Sequence, residues 1–179
     1  MPSQLLQTTK KKLESSVPPK LKDVYDRIIL AGMKLMWSDQ THKEMVSYLE
    51  RIKSPKDVPA LIAHGIAKVI QIIITNAKIK PKLEDPFYPA SMLAAQVLCM
   101  DALQYVEQKK KIVIDQALLA ETHKLLMNGL FKMYGITEDL MRKALAHAQQ
   151  QAAAKNPKGM VQSAPPTPGQ PPVQPGAPV

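Results

Sequence analysis

The feature that most constrains this chain is a stretch near its middle, DVPALIAHGIAKVIQIIITNAKI, residues 57–79. Its isoleucines and valines suit a strand. Its length does not, because about 20 residues without a turn signal exceed an ordinary strand. Read at helical spacing, Leu61, Ile62, Ile66, Val69, Ile70, Ile73 and Ile74 form a broad stripe, which Ile72 widens. A helix this apolar needs cover on several sides, so the stretch predicts the central helix of a bundle. His64, Lys68 and Gln71 interrupt it, so no apolar run reaches the roughly 20 residues that cross a bilayer. No membrane-spanning segment is expected.

Prolines and capping residues mark the neighbouring elements. Pro18 and Pro19 precede Leu21, Val24, Tyr25, Ile28, Ile29, Gly32, Leu35 and Met36, whose spacings of three and four define one helix face. Ser38 or Asp39 caps a second helix, with Met45, Val46, Leu49 and Ile52 inward. Ser54, Pro55 and Asp57 open the third, with serine as cap and proline in the first turn. Pro81, Pro86 and Pro89 make residues 80–89 a connector, which carries the adjacent aromatics Phe87 and Tyr88. The fourth helix, ASMLAAQVLCMDALQYVEQ, offers Ala94, Ala95, Leu98 and Ala102 to a close neighbour. It ends at Lys109, Lys110 and Lys111, where cations suit the helix dipole. Asp115 caps a fifth helix, which Gly135 terminates, and Thr137 opens a sixth that fades near Ala154. The expected fold class is all-α, a compact bundle of about six helices.

Eight of the 16 prolines fall in residues 155–179, with three glycines and no aromatic residue. Such a segment buries too little apolar surface to offset its ordering entropy, and reads as an extended tail. Pro165, Pro166, Pro171 and Pro172 are its candidate contacts with a proline-binding groove or a neighbouring subunit. The net charge of +9 divides in the same way. Residues 1–22 carry five lysines against Glu14, and residues 155–179 carry two lysines and no acid. Residues 1–18 are thus expected to be a flexible basic arm, residues 19–154 a mildly basic bundle, and residues 155–179 the tail. The opening MPSQLLQTTKKKLESS lacks an apolar stretch before a small-residue cleavage site, so no secretory signal is expected.

Catalytic chemistry finds little purchase. The single cysteine, Cys99, forms no disulfide framework or thiolate cluster and reads as a small buried hydrophobe. His42, His64, His123 and His147 have no histidine or cysteine three or four residues away. HExxH, CxxC, EF-hand and glycine-rich phosphate loops are all absent. Glu121 and His123 are two apart on a helix and do not face each other. Asp101, amid apolar neighbours, is expected to be partly exposed or in a structural ion pair, with Lys68 and His123 as candidate partners. The expectation is a noncatalytic protein with no metal, cofactor or small-molecule substrate. As an alternative, Lys10, Lys11 and Lys12 on the arm, with Lys109, Lys110 and Lys111, could hold phosphates in nonspecific contact with DNA or RNA. Arginine occurs only at positions 27, 51 and 142, and aromatics make up only 4% of the chain. Base reading and single-strand stacking therefore find little support. The helical methionines read first as core packing, while the few aromatic anchors favour self-association as the way to bury remaining apolar surface.

The order RIILAGMKLMWSDQTHKEMVSYLE, DVPALIAHGIAKVIQIIIT, PFYPASMLAAQVLCMDALQYVEQ, then LFKMYGI resembles the small all-helical virion proteins of tailed bacteriophages, over about residues 25–145. The resemblance implies a structural component of the tail, neck or DNA-ejection apparatus. Such a protein is made in the bacterial host cytoplasm and assembled with itself and other virion proteins. No functional residue is carried over from it. The residues expected to mediate assembly are Phe87, Tyr88 and the two terminal extensions.

Overall fold

The computed structural model describes residues 3–38, 42–78 and 85–137. The chain forms α1 (Gln4–Ser15), α2 (Lys22–Trp37), α3 (His42–Glu50), α4 (Val58–Asn76), α5 (Phe87–Lys110) and α6 (Gln116–Met133). Short 3-10 turns, Pro19–Leu21 and Pro55–Asp57, lead into α2 and α4. Among the described residues there is no strand, and the fold is an all-α bundle. The helix expected after Thr137 and the proline-rich tail lie outside the described residues.

Local chemistry places several boundaries where the sequence puts them. The Asp57 carboxylate accepts from the Lys53 and Ser54 N–H groups and from the Ser54 hydroxyl, closing the turn before α4. These hydrogen bonds, the one from Lys53 first, hold its carboxyl below the usual range. Asp115 caps α6 by accepting from the Leu118 N–H at 2.8 Å. Gly135 ends that helix at φ +68°, and the Ile136 N–H reaches back to the Phe131 carbonyl at 2.8 Å.

Residues 4–15 correct the expectation of a flexible arm: they form a helix packed on α5. The Ser3 hydroxyl accepts from the Leu6 N–H, and Leu6 is fully buried. Leu13, seven residues on, shares that face and packs on the core. The Ser3 N–H donates to the Glu107 carboxylate at 2.6 Å. Three successive lysines make the segment look solvated, yet the helix turns Leu6, Lys10 and Leu13 to the packed side and leaves Lys11 and Lys12 exposed.

Helices α4 and α5 share the centre. α4 packs on α2, α3, α5 and α6, and buries Ile62, Ile66, Val69, Ile70 and Ile73. By length and composition Pro55–Asn76 could cross a membrane. In the bundle that apolar side is covered, and His64, Lys68, Gln71 and Thr75 line the exposed side. α5 is buried on most sides from Ala90 to Val106, mostly through alanine, methionine and other small or flexible residues, while Asp101, Gln104 and Tyr105 stay half-buried along one side. It starts at Phe87, earlier than the prolines suggest. Pro86 and Pro89 fall at the cap and in the first turn, where a missing N–H breaks no helical hydrogen bond.

Candidate functional site

The C-terminal half of α5 borders three adjoining concavities with polar side chains in their walls. Asp101, Gln104, Tyr105 and Gln108 stand at i, i+3, i+4 and i+7, so they share one side of the helix. Met33 and Trp37 of α2 face them across a cleft of about 270 Å³. The Trp37 and Tyr105 rings meet there, 5.2 Å between centroids and tilted by 36°. Tyr105 also borders a depression of about 180 Å³ with Val46, Leu49, Glu50, Lys109 and Lys110. Gln108 and Lys109 border a third, of about 560 Å³, with Glu107 and Lys111. The three meet around Tyr105, Gln108 and Lys109. Among the described residues no carboxylate is ion-paired with Lys109, Lys110 or Lys111. Lys111 adopts φ +58°, a left-handed cap that reverses the chain as α5 ends.

Asp101 pairs with Lys10 at 2.5 Å, not with Lys68 or His123. The docking of α1 brings the ammonium onto α5, while Lys68 lies on the exposed side of α4. Lys11 and Lys12 remain on the exposed face of α1. Of the six lysines expected to meet phosphate, the structure thus gathers Lys109, Lys110 and Lys111 at one helix end and commits Lys10 to a partner.

Phe87 and Tyr88 diverge. Phe87 closes an apolar cleft of about 580 Å³ lined by Val24, Ile28 and Ala31 of α2 and by Ile73 and Ala77. Tyr88 turns into the protein and meets Tyr134 edge-on, with centroids 4.8 Å apart. The Tyr134 hydroxyl in turn shares a hydrogen bond with Ser91 at 2.5 Å, and burial raises its pKa. Tyr88 therefore ties α5 to the end of α6. Pro165, Pro166, Pro171 and Pro172 lie outside the described residues.

The titratable groups of the interior do not converge. Burial pushes the Cys99 thiol up to about 12, which leaves it protonated and unreactive. Tyr25 is raised to about 12, by burial first and then by Glu14, Asp26 and Asp101. His123 is lowered by burial, and its Nε2 is enclosed without a hydrogen-bond partner. At the surface, away from these groups, His64 stacks at 6.2 Å on Tyr48, itself under Arg51. Among the described residues no three His, Cys, Asp or Glu side chains group as metal ligands would.

No known protein family, curated protein or solved structure matches this chain. What the sequence does not bring forward is the meeting of Trp37 with Tyr105, two isolated aromatics on different helices. A signal for half of it is present: the polar set 101, 104, 105 and 108 runs along one side of an otherwise apolar helix.

Proposed function

We propose that this chain is a noncatalytic structural component of a bacteriophage virion, acting in the tail, neck or DNA-ejection apparatus by assembling with copies of itself and with other virion proteins. The observation that carries the assembly reading is the apolar cleft closed by Phe87. Leu30, 59% exposed, stands on the same helix, three residues from Arg27 and one from Ala31, both of which border that cleft. An exposed leucine beside an apolar concavity is the surface chemistry of a protein contact. The order of helical segments over residues 25–145 supports the virion setting. The N-terminal segment has a different part in this reading: it belongs to the body of the bundle, with Leu6 and Lys10 engaged on α5. The tail prolines keep their place as candidate contacts.

Mass analysis of purified particles tests the setting, and the chain should be present at a fixed copy number. Abundance in infected cytoplasm with none in particles would overturn it. Leu30→Glu tests the surface. It should lower self-association by light scattering and incorporation into particles, with helicity by circular dichroism unchanged. Unaltered assembly would remove the cleft from the account.

A further inference from the structure

We infer that the trough along the C-terminal half of α5 binds single-stranded nucleic acid, with Trp37 and Tyr105 taking unpaired bases and Lys109, Lys110 and Lys111 taking phosphates. The inference is independent of the virion reading, since it rests on a different surface.

Strand binding without sequence preference needs two things together: rings that accept a base face, and unpaired cations that follow the backbone. Here both occur within one helix's reach. Asp101 to Lys111 spans about 15 Å at 1.5 Å per residue. The paired rings lie in the first depression, and Tyr105 carries the wall into the second, where Lys109 and Lys110 begin. Gln104 and Gln108 add amide donors and acceptors beside the rings.

The charges arrange themselves to suit an anion. The Asp101 carboxylate at one end is met by Lys10, and the Glu107 carboxylate accepts the Ser3 N–H. Docking of α1 therefore neutralises Asp101 and occupies one Glu107 oxygen, while Glu107 keeps its charge beside the three lysines. Glu50 faces Lys109 and Lys110 across the second depression without forming an ion pair. The negative end of the α5 dipole opposes an anion, and three adjacent lysines outweigh that half charge.

The shape selects single strands. Both rings are partly covered and sit in a cleft between α2 and α5, so a base must leave its stack to reach them. A stacked duplex could use the lysines alone. Among the described residues no arginine borders the trough, and lysine acts on phosphate as a point charge rather than as a bidentate reader of base edges. The expected binding is tolerant of sequence and sensitive to salt.

Trp37 is the single tryptophan of the chain, so its fluorescence reports on this trough directly. The full chain is titrated with an oligothymidylate of about 20 nucleotides, with a duplex of equal length and with a polyglutamate of equal charge. Oligothymidylate should quench Trp37, with an apparent Kd that rises steeply with salt. The duplex should bind about tenfold more weakly and leave the fluorescence unquenched. Replacing Lys109, Lys110 and Lys111 together by glutamine should weaken binding by at least about tenfold and flatten the salt slope. These side chains lie outside the core, and circular dichroism verifies the fold of the variant. Any of three results overturns the inference: no quenching and no binding, equal binding of duplex or polyglutamate, or a triple variant that binds as the parent does.

Discussion

Leu98 occupies the space that a side chain at Gly32 would need: a methyl built there would lie 2.4 Å from Leu98 Cδ1. Leu98 is fully buried, so it has little room to turn away. At this point of the α2–α5 contact the close fit depends on the missing methyl of Gly32. Gly32→Ala gains about 1 kcal/mol of helix propensity, against an overpacking cost of about 1–3 kcal/mol. The net expectation is a destabilisation of roughly 1 kcal/mol. Leu98→Ala alone should cost about 2–5 kcal/mol. In that background Gly32→Ala should become stabilising, because the cavity accepts the methyl and the propensity gain remains. Urea unfolding of the four proteins measures the cycle. Equal effects of Gly32→Ala in both backgrounds would show that the two residues do not share the space.

The anchoring of α1 supports a second prediction. It rests on one fully buried side chain, Leu6, together with the Lys10–Asp101 pair and the Ser3–Glu107 hydrogen bond. Leu6→Ala should remove about 2–4 kcal/mol, and much of the loss should appear as local opening rather than global unfolding. Trypsin cleavage at Lys10, Lys11 and Lys12 should then accelerate, while the main melting transition moves little. The Lys10 and Asp101 side chains are 28% and 13% exposed, so solvent screens their attraction. A double-mutant cycle with alanine at both should give a coupling of about 1 kcal/mol that shrinks with salt. Cleavage kinetics unchanged by Leu6→Ala would show that α1 is held by something else.

These two contacts also mark how much of the molecule was legible in its sequence. The helical body was, because Pro55, Asp57, Asp115 and Gly135 act through local backbone chemistry that spacing reveals. The α1 helix was not, since Lys10–Lys12 dominate its composition while its burial depends on a distant partner. The central place of α5 was understated for a related reason. Ala90, Ala94, Ala95 and Ala102 carry little hydropathy, and only close helix neighbours show that they are enclosed. Asp101 stands out as an acid in an apolar stretch, but its partner lies 91 positions away and nothing local points to it. The Trp37–Tyr105 meeting is tertiary: the polar row on α5 marks Tyr105, and nothing in the sequence marks Trp37 as its neighbour.

Lys111 separates backbone strain from charge. At φ +58° it adopts the left-handed conformation that glycine tolerates and a side chain resists by about 1–2 kcal/mol. Lys111→Gly should stabilise the fold by up to about 1 kcal/mol, since the added unfolded-state freedom of glycine offsets part of the relief. The same change removes one cation from the trough. Thermal unfolding should therefore improve while oligothymidylate binding weakens and its salt slope becomes shallower. If both properties rose together, Lys111 would be no part of the anionic contact.

His123 should govern a stability change near neutral pH. Its Nε2 is enclosed without a hydrogen-bond partner, and burial depresses its pKa below the ordinary value of 6.5. The neutral ring is thus favoured in the folded chain, and the unfolded chain binds the extra proton. The sign follows: the full stability is present above about pH 6.5 and declines as pH falls from there towards the folded-state pKa. The slope is at most about 1.4 kcal/mol per pH unit. His123→Leu keeps the bulk and removes the titration. It should match or exceed the parent at pH 7, and its advantage should widen towards pH 5.5. The Asp57 carboxyl, lowered by its hydrogen bonds, adds its own loss only at more acidic pH, in both proteins alike. Urea unfolding at half-unit steps between pH 5 and 7.5 makes the comparison. Parallel curves for the two proteins would place the titrating group elsewhere.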